Sequence, residues 1–313
     1  MAVIRVACTT SIFDSGLYNV IETAFENYQG GNPPAYTLQW NSVGSGAAMQ
    51  AARNGLADVV LSHDRIGEFV YLAELFGLSR VPFCYNFFVM VGAAQLPAPD
   101  GGVGNATTLA DCYKSLSQNS SLVYVSRGAN GLSGTYVREQ QILTLSNITG
   151  INVQNPPVSN PGMMATLSDT YQRITGTGPY VGNAQNAYTL TDIGTLYQFY
   201  AQNLGSSSVM IILTSATASP EDPDASNQYV VMDVNPNACF LQTPNPAINT
   251  AGAQAFIAWL QTTTSQGTYN AQDTINGYKS GGNQGFIWNA GQERFPGDVC
   301  ILKPVPPITV ELQ

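Results

Sequence analysis

Val6-Ala7-Cys8-Thr9-Thr10-Ser11, running into Ser15-Gly16-Leu17, is the stretch whose reading decides the fold. An apolar strand ends in small hydroxyl residues and then opens a helix. The same grammar returns at Ser42-Val43-Gly44-Ser45-Gly46 into Ala47-Ala48-Met49, and at Val123-Tyr124-Val125-Ser126-Arg127-Gly128 into Ser133-Gly134-Thr135. A helix N-terminus presents unpaired N–H groups and about half a positive charge, so each junction is a candidate anion cradle. Several that converge can hold an oxyanion without a metal.

Working outward, residues 15–28 place Leu17, Val20, Ile21, Ala24, Phe25 and Tyr28 on one helical face. Residues 36–40 read as a strand, 47–53 as a short helix, 57–62 as a strand and 83–92 as a longer apolar run. Strands alternating with helices imply right-handed βαβ units and a mostly parallel sheet, with the ligand crevice at the strands' carboxyl ends. The hydroxyl-rich junctions fall at those ends. A Pro- and Gly-rich break at 95–102 reads as the crossing into a second lobe. That lobe holds helices at 109–116, 133–145 and 163–170, a strand at 122–126, and a strand at 188–192 feeding a helix through Tyr200. Segments 209–213 and 229–234 read as strands returning to the first lobe, with a polar excursion at 217–227 between them. A further helix spans 251–260, and 304–313 is an extended tail. The expected division is 1–92 plus 205–313 for lobe I and 93–204 for lobe II, an α/β architecture.

At 313 residues with 44% hydrophobic content the chain can bury a large core. Only 10% of residues are charged, against about 25% in typical soluble domains, a palette that suits an extracytoplasmic protein. The net charge of -9 and isoelectric point of about 4.4 exclude a basic stripe for nucleic acid. A small anion stays open, because the long-range field is screened within about 8 Å at physiological salt while N–H dipoles act at contact. Five cysteines show no metal-ligand spacing. They read either as isolated thiols or as one or two disulfides, with Cys239 to Cys300 the preferred pair and Cys8 a free thiol. No apolar run is long enough to span a bilayer, and a signal peptide is not visible in the chain. Asn-x-Ser/Thr triplets at Asn105, Asn119 and Asn147 leave glycosylation undecided.

The ordered set Cys8-Thr9-Thr10-Ser11 with Asp14-Ser15-Gly16-Leu17, Val43-Gly44-Ser45-Gly46, Ala57-Asp58-Val59-Val60-Leu61-Ser62-His63, Tyr85-Asn86-Phe87-Phe88, Ser126-Arg127-Gly128, Ser133-Gly134-Thr135 and Tyr188-Thr189-Leu190-Thr191-Asp192 resembles the tungstate-binding proteins of ABC transporters. The resemblance covers most of residues 3–290. It implies a type II periplasmic-binding-protein fold, two α/β lobes joined by crossing hinge strands and closing on a tetrahedral oxyanion, tungstate or molybdate. It further implies that Thr10, Ser11, Ser45, Arg127, Ser133, Gly134 and Thr135 line the site, and that a monomer hands its ion to a membrane ABC permease. No cofactor, metal or nucleic acid is implied. The chain departs from the family at Ala129-Asn130-Gly131-Leu132, where a shorter acidic stretch is typical, and at Tyr136, where a His is usual.

A fully deprotonated tungstate or molybdate ion only accepts hydrogen bonds, so a site of hydroxyls, backbone N–H groups and the Arg127 fork suits it. A phosphate-binding protein of the same fold is the alternative. Phosphate retains protons and favours an acceptor carboxylate, for which Asp14, Asp58 and Asp192 are the candidates. Each also has a structural reading: Asp14 and Asp192 as helix caps, Asp58 as an anchor for neighbouring backbone. Ser45 and Ser133 read equally as caps, and Arg127 as a surface ion pair. A secreted hydrolase using the same cradle would have to rely on His63, the one histidine, and the chain has neither GxSxG nor a phosphate-binding GK[ST] loop. The expectation is therefore a binding protein and not an enzyme.

Overall fold

The computed structural model describes residues 1–93, 108–128, 132–157, 162–213, 225–238 and 248–292. A ten-stranded sheet runs through it in the order β2-β1-β3-β9-β4-β7-β5-β6, its remaining two strands, β8 and Ile287–Trp288, also pairing with β4. In its first half, β1 (Ala2–Thr9) lies parallel to both β2 (Tyr36–Val43) and β3 (Val59–Ser62). In its second half, β5 (Val123–Val125) lies parallel to β6 (Val153–Gln154) and β7 (Ala187–Asp192).

The halves are joined by two long antiparallel strands. β4 (Val81–Ala93) pairs through Val81–Phe87 with β9 (Ser226–Asp233), and through Phe88–Gly92 with β7. β9 also pairs with β3. A thirteen-residue strand, nearly all of it buried, therefore belongs to both halves. Its apolar run, interrupted only by Asn86, follows from that, since neither face meets water. β8 (Met210–Ile212) pairs with Val91–Ala93, so β9 and not β8 carries the chain back to the first half. β9 also begins earlier than the sequence suggests, with Ser226 and Asn227 inside the strand.

Helices cover both faces, as the period of each predicts. Leu17, Ile21, Ala24 and Phe25 of α2 (Leu17–Tyr28) pack with Ile4, Val6 and Cys8 of β1, and with Phe256 and Trp259 of α9 (Thr250–Leu260). On the opposite face Ala7 meets Ala48, Met49 and Ala52 of α3 (Ser45–Arg53). The alternation of β1 between the two cores is the two-residue period of a strand. In the second half, α5 (Leu109–Ser117) sets Cys112, Tyr113 and Leu116 against Tyr124, Tyr188 and Leu190. The other face of β4, through Val89 and Val91, is covered by α7 (Met163–Thr175) and α8 (Ile193–Gln202). α6 (Gly134–Leu145) completes this half.

Three short helices escape the sequence reading, one of them Ala271–Gly277 near the end of the described residues. α1 (Thr10–Asp14) follows β1 directly, and α4 (Arg65–Ala73) follows β3 with Asp64 as its cap. Cys8, Cys84 and Cys112 are buried free thiols. The Cys239–Cys300 pairing, the 95–102 crossing, most of the 217–227 excursion, the Asn105 triplet and the 304–313 tail lie outside the described residues. No helix among the described residues is long and apolar enough to cross a membrane, and no acidic, His or Cys cluster there has the makings of a metal site.

Candidate functional site

The three hydroxyl-rich junctions lie at the carboxyl ends of β1, β2 and β5. Thr10 is the first residue of α1 and half-buried, while Ser11 beside it is buried and hydrogen-bonds the Tyr229 phenol. α1 has five residues, too few for a developed macrodipole, so this junction offers hydroxyls more than a helix end. The other two junctions open full helices. Ser45 begins nine-residue α3, and Ser133 caps twelve-residue α6 by accepting from the Tyr136 N–H (3.4 Å), with Gly134 and buried Thr135 in its first turn.

The α3 and α6 junctions meet across the sheet halves. The Gly46 N–H donates to the Leu132 carbonyl (3.1 Å), and any Cβ at Gly44 would overlap that same oxygen. A Cβ on Gly134 would stand 2.5 Å from the His63 ring and 2.9 Å from Ser45 Oγ. Glycine is required at both positions because backbone and ring approach without room for a methyl. Ser45 Oγ in turn accepts from the His63 N–H at 3.4 Å.

Arg127 is the one basic residue of this constellation, and it is 4% exposed. Its Nη1 is buried without a hydrogen-bond partner. Burial lowers its pKa, and the negative charge of Asp14 opposes that effect. Asp14 was expected to cap the helix beginning near Ser15. In the structure it ends α1, and Gly16 precedes α2 with no side-chain cap. The Asp14 carboxylate instead lies against the amides of Met163 and Met164 at the start of α7, and its Oδ2 has no hydrogen-bond partner. Burial pushes its pKa up to about 6, Asp192 adds to the rise, and Arg127 and the two amides act against it.

The other two carboxylates are structural, as one of their readings allowed. Asp192 caps α8 through the Thr195 N–H (3.0 Å) and accepts from Asn86 Nδ2 (2.9 Å). Asp58 takes the Arg5 guanidinium and N–H, together with the Asn249 N–H (2.9 Å). Both its oxygens are thereby engaged at the start of β3, the far end from the junctions.

His63 is held in a chain of buried amides that the sequence reading missed. Asn227 donates through Nδ2 to Asn86 Oδ1 (2.7 Å) and to the Tyr229 hydroxyl (2.9 Å), so its Oδ1 is the acceptor facing His63 Nδ1 at 2.8 Å. The ring is also stacked 5.1 Å from Tyr229 at 3° and 5.9 Å from Phe88. Burial lowers its pKa, partly offset by Asn227 and Asp192 and reinforced by Arg127, so it stands as a neutral imidazole with its proton on Nδ1. The available signal was Asn86, a lone amide inside an otherwise apolar strand.

A concavity of about 750 Å³ between α4 and α6 shares His63, Gly134 and Asn227 with this cluster. Thr10, Ser11, Asp14, Ser45 and Arg127 are not among its lining residues, and its volume far exceeds one tetrahedral ion. It adjoins the constellation and does not contain it.

A model of the PBP superfamily domain matches residues 2–264. The tungstate-binding protein TupA of Peptoclostridium acidaminophilum is 30% identical over 263 residues, covering 82% of this chain and 77% of that protein. Among solved structures, the tungstate-binding protein TupA from Desulfovibrio alaskensis superposes with a TM-score of 0.66 at 27% identity, over 93% of this chain and all of that one. The tungstate ABC transporter structure from Geobacter sulfurreducens gives 0.65 at 26% identity, over 88% and 98%.

Proposed function

The chain belongs to the PBP superfamily, with two α/β lobes joined by crossing strands, and on that premise we propose that it is a solute-binding protein capturing a tetrahedral oxyanion, tungstate or molybdate, for an ABC permease. The single observation that carries the reading is Arg127. A buried guanidinium nitrogen without a partner costs several kcal/mol, and a dianion held against it offsets that cost. Around it, Thr10, Ser11 and Ser45 come from the first half of the sheet and Ser133, Gly134 and Thr135 from the second. In this reading these residues form one enclosed, donor-rich seat.

The halves act as lobes, exchanged along β4 and again between β8 and β9, and the seat is complete only when they meet at Gly44–Leu132 and Gly134–His63. Binding and release require no covalent step, so the protein is not an enzyme in this reading. It works outside the cytoplasm, where its ion is delivered to the permease. A phosphate-binding role is the second reading, favoured by one observation: the unpartnered Asp14 Oδ2, an acceptor that a protonated phosphate can use.

Titration calorimetry with tungstate, molybdate, phosphate and sulfate decides between them. Submicromolar binding of tungstate or molybdate with weak phosphate binding is the expected result. A preference for phosphate supports the second reading, and no binding of any of the four ends both.

A further inference from the structure

Asp14 is four positions after Thr10 and three after Ser11 on α1, spacings that share one helix face. Its carboxyl lies against the amides of Met163 and Met164 at the start of α7. Its Oδ2 and Arg127 Nη1 are both buried and unpartnered, and each group feels the other's charge. Groups of several elements face Asp14 among the described residues. They are the Cys8 thiol from β1, Arg127 from the turn after β5, Asp192 from the start of α8, and the amides of Met163 and Met164 from α7.

A deprotonated oxyanion and a carboxylate are both pure acceptors. They cannot share a contact unless a proton lies between them. We propose that Asp14 meets the bound oxyanion through one proton taken up from solvent, its carboxyl donating O–H···O to an anion oxygen while Arg127 supplies the opposing charge. The inference rests on the oxyanion reading given above, and it deepens that reading by adding a residue that decides in which protonation state the ion is held.

The direction of the effect follows from linkage. Burial already places the Asp14 carboxyl at about 6, and a dianion beside it raises the value further. The bound state therefore holds more protons than the free state. Affinity is fully developed below about pH 6 and declines as pH rises above it, by about tenfold per unit until the bound-state value is passed.

The test is calorimetry with sodium tungstate from pH 6.5 to 8.5, repeated in two buffers of different ionisation heat. Wild type should take up about one proton per ion near pH 7.5 and lose affinity along the slope above. Asp14→Asn, which keeps the shape and offers an N–H donor, should bind with a flat pH profile and no uptake. Asp14→Ala should be flat as well, and thermal melts of both variants establish that they are folded. Glu139→Gln is the control, because burial pushes Glu139 to about 7 while its carboxylate is already taken up by the Ser126 and Tyr124 hydroxyls. It should retain the uptake. Tungstate binding without proton uptake in wild type, or uptake that survives in Asp14→Asn, or uptake that vanishes in Glu139→Gln, overturns the Asp14 inference while leaving the oxyanion reading intact. No binding by wild type overturns both.

Discussion

In the proposed reading the two halves of the sheet bring different chemistry to the oxyanion. The first contributes neutral hydroxyls, Thr10, Ser11 and Ser45, plus the carboxyl of Asp14; the second contributes a cation, Arg127, and the twelve-residue helix behind Ser133. Their states of satisfaction also differ. Ser11 and Ser45 already have partners in Tyr229 and the His63 N–H, whereas Arg127 Nη1 has none. The difference teaches that, in the proposed reading, binding energy is stored mainly on one side, and the other side supplies shape and selectivity.

Removing the charged side should break the comparison most. Arg127→Ala is expected to weaken tungstate binding by about 3 kcal/mol or more, a hundredfold or greater rise in Kd by calorimetry. The same position should show the opposite sign in stability. Arg127→Met, melted without anion, is expected to gain about 1 kcal/mol or more, because a buried unpaired charge is relieved. A variant that binds with full affinity and melts unchanged would place Arg127 outside the seat.

Wedging the halves apart comes next. Gly134→Ala puts a methyl 2.5 Å from the His63 ring, so contact between the halves must loosen. A Kd increase of roughly tenfold is expected, about 1.4 kcal/mol, with a larger radius of gyration in the presence of anion by solution scattering. A compact anion-bound form of this variant would mean that the halves need not meet there.

On the hydroxyl side, Ser45→Ala removes one neutral donor and should cost about 1 kcal/mol in affinity, roughly fivefold, measured by the same titration. The smallest effect on binding is expected at Asp58. Asp58→Ala breaks the half-buried pair with Arg5, so thermal stability should fall by about 1–2 kcal/mol while the Kd for tungstate stays within twofold. A change in Kd there would tie the far end of β3 to the site.

The junctions were legible because their signals are local. Hydroxyls and glycine after an apolar strand, followed by a 3.6-residue repeat, announce a strand-to-helix turn whatever the rest of the chain does. That local grammar located Ser45, Arg127 and Ser133, and it placed Asp192 as the cap of α8. It failed at Asp14. The cap preference of Asp predicted a local role, but five-residue α1 intervened and turned the carboxyl toward α7. It also failed at His63, whose partner Asn227 lies 164 residues away.

By itself, then, the sequence determined the strand-helix alternation, the hydroxyl-tipped junctions and the poverty of charge, because periodicity, turn chemistry and composition act over a few residues. Only the tertiary structure decided that β4 runs through both halves, that Ser45 faces Gly134, and that Arg127 Nη1 and Asp14 Oδ2 are buried without partners. Those outcomes depend on desolvation and on pairing between distant segments. Neither is a property of any short stretch of chain.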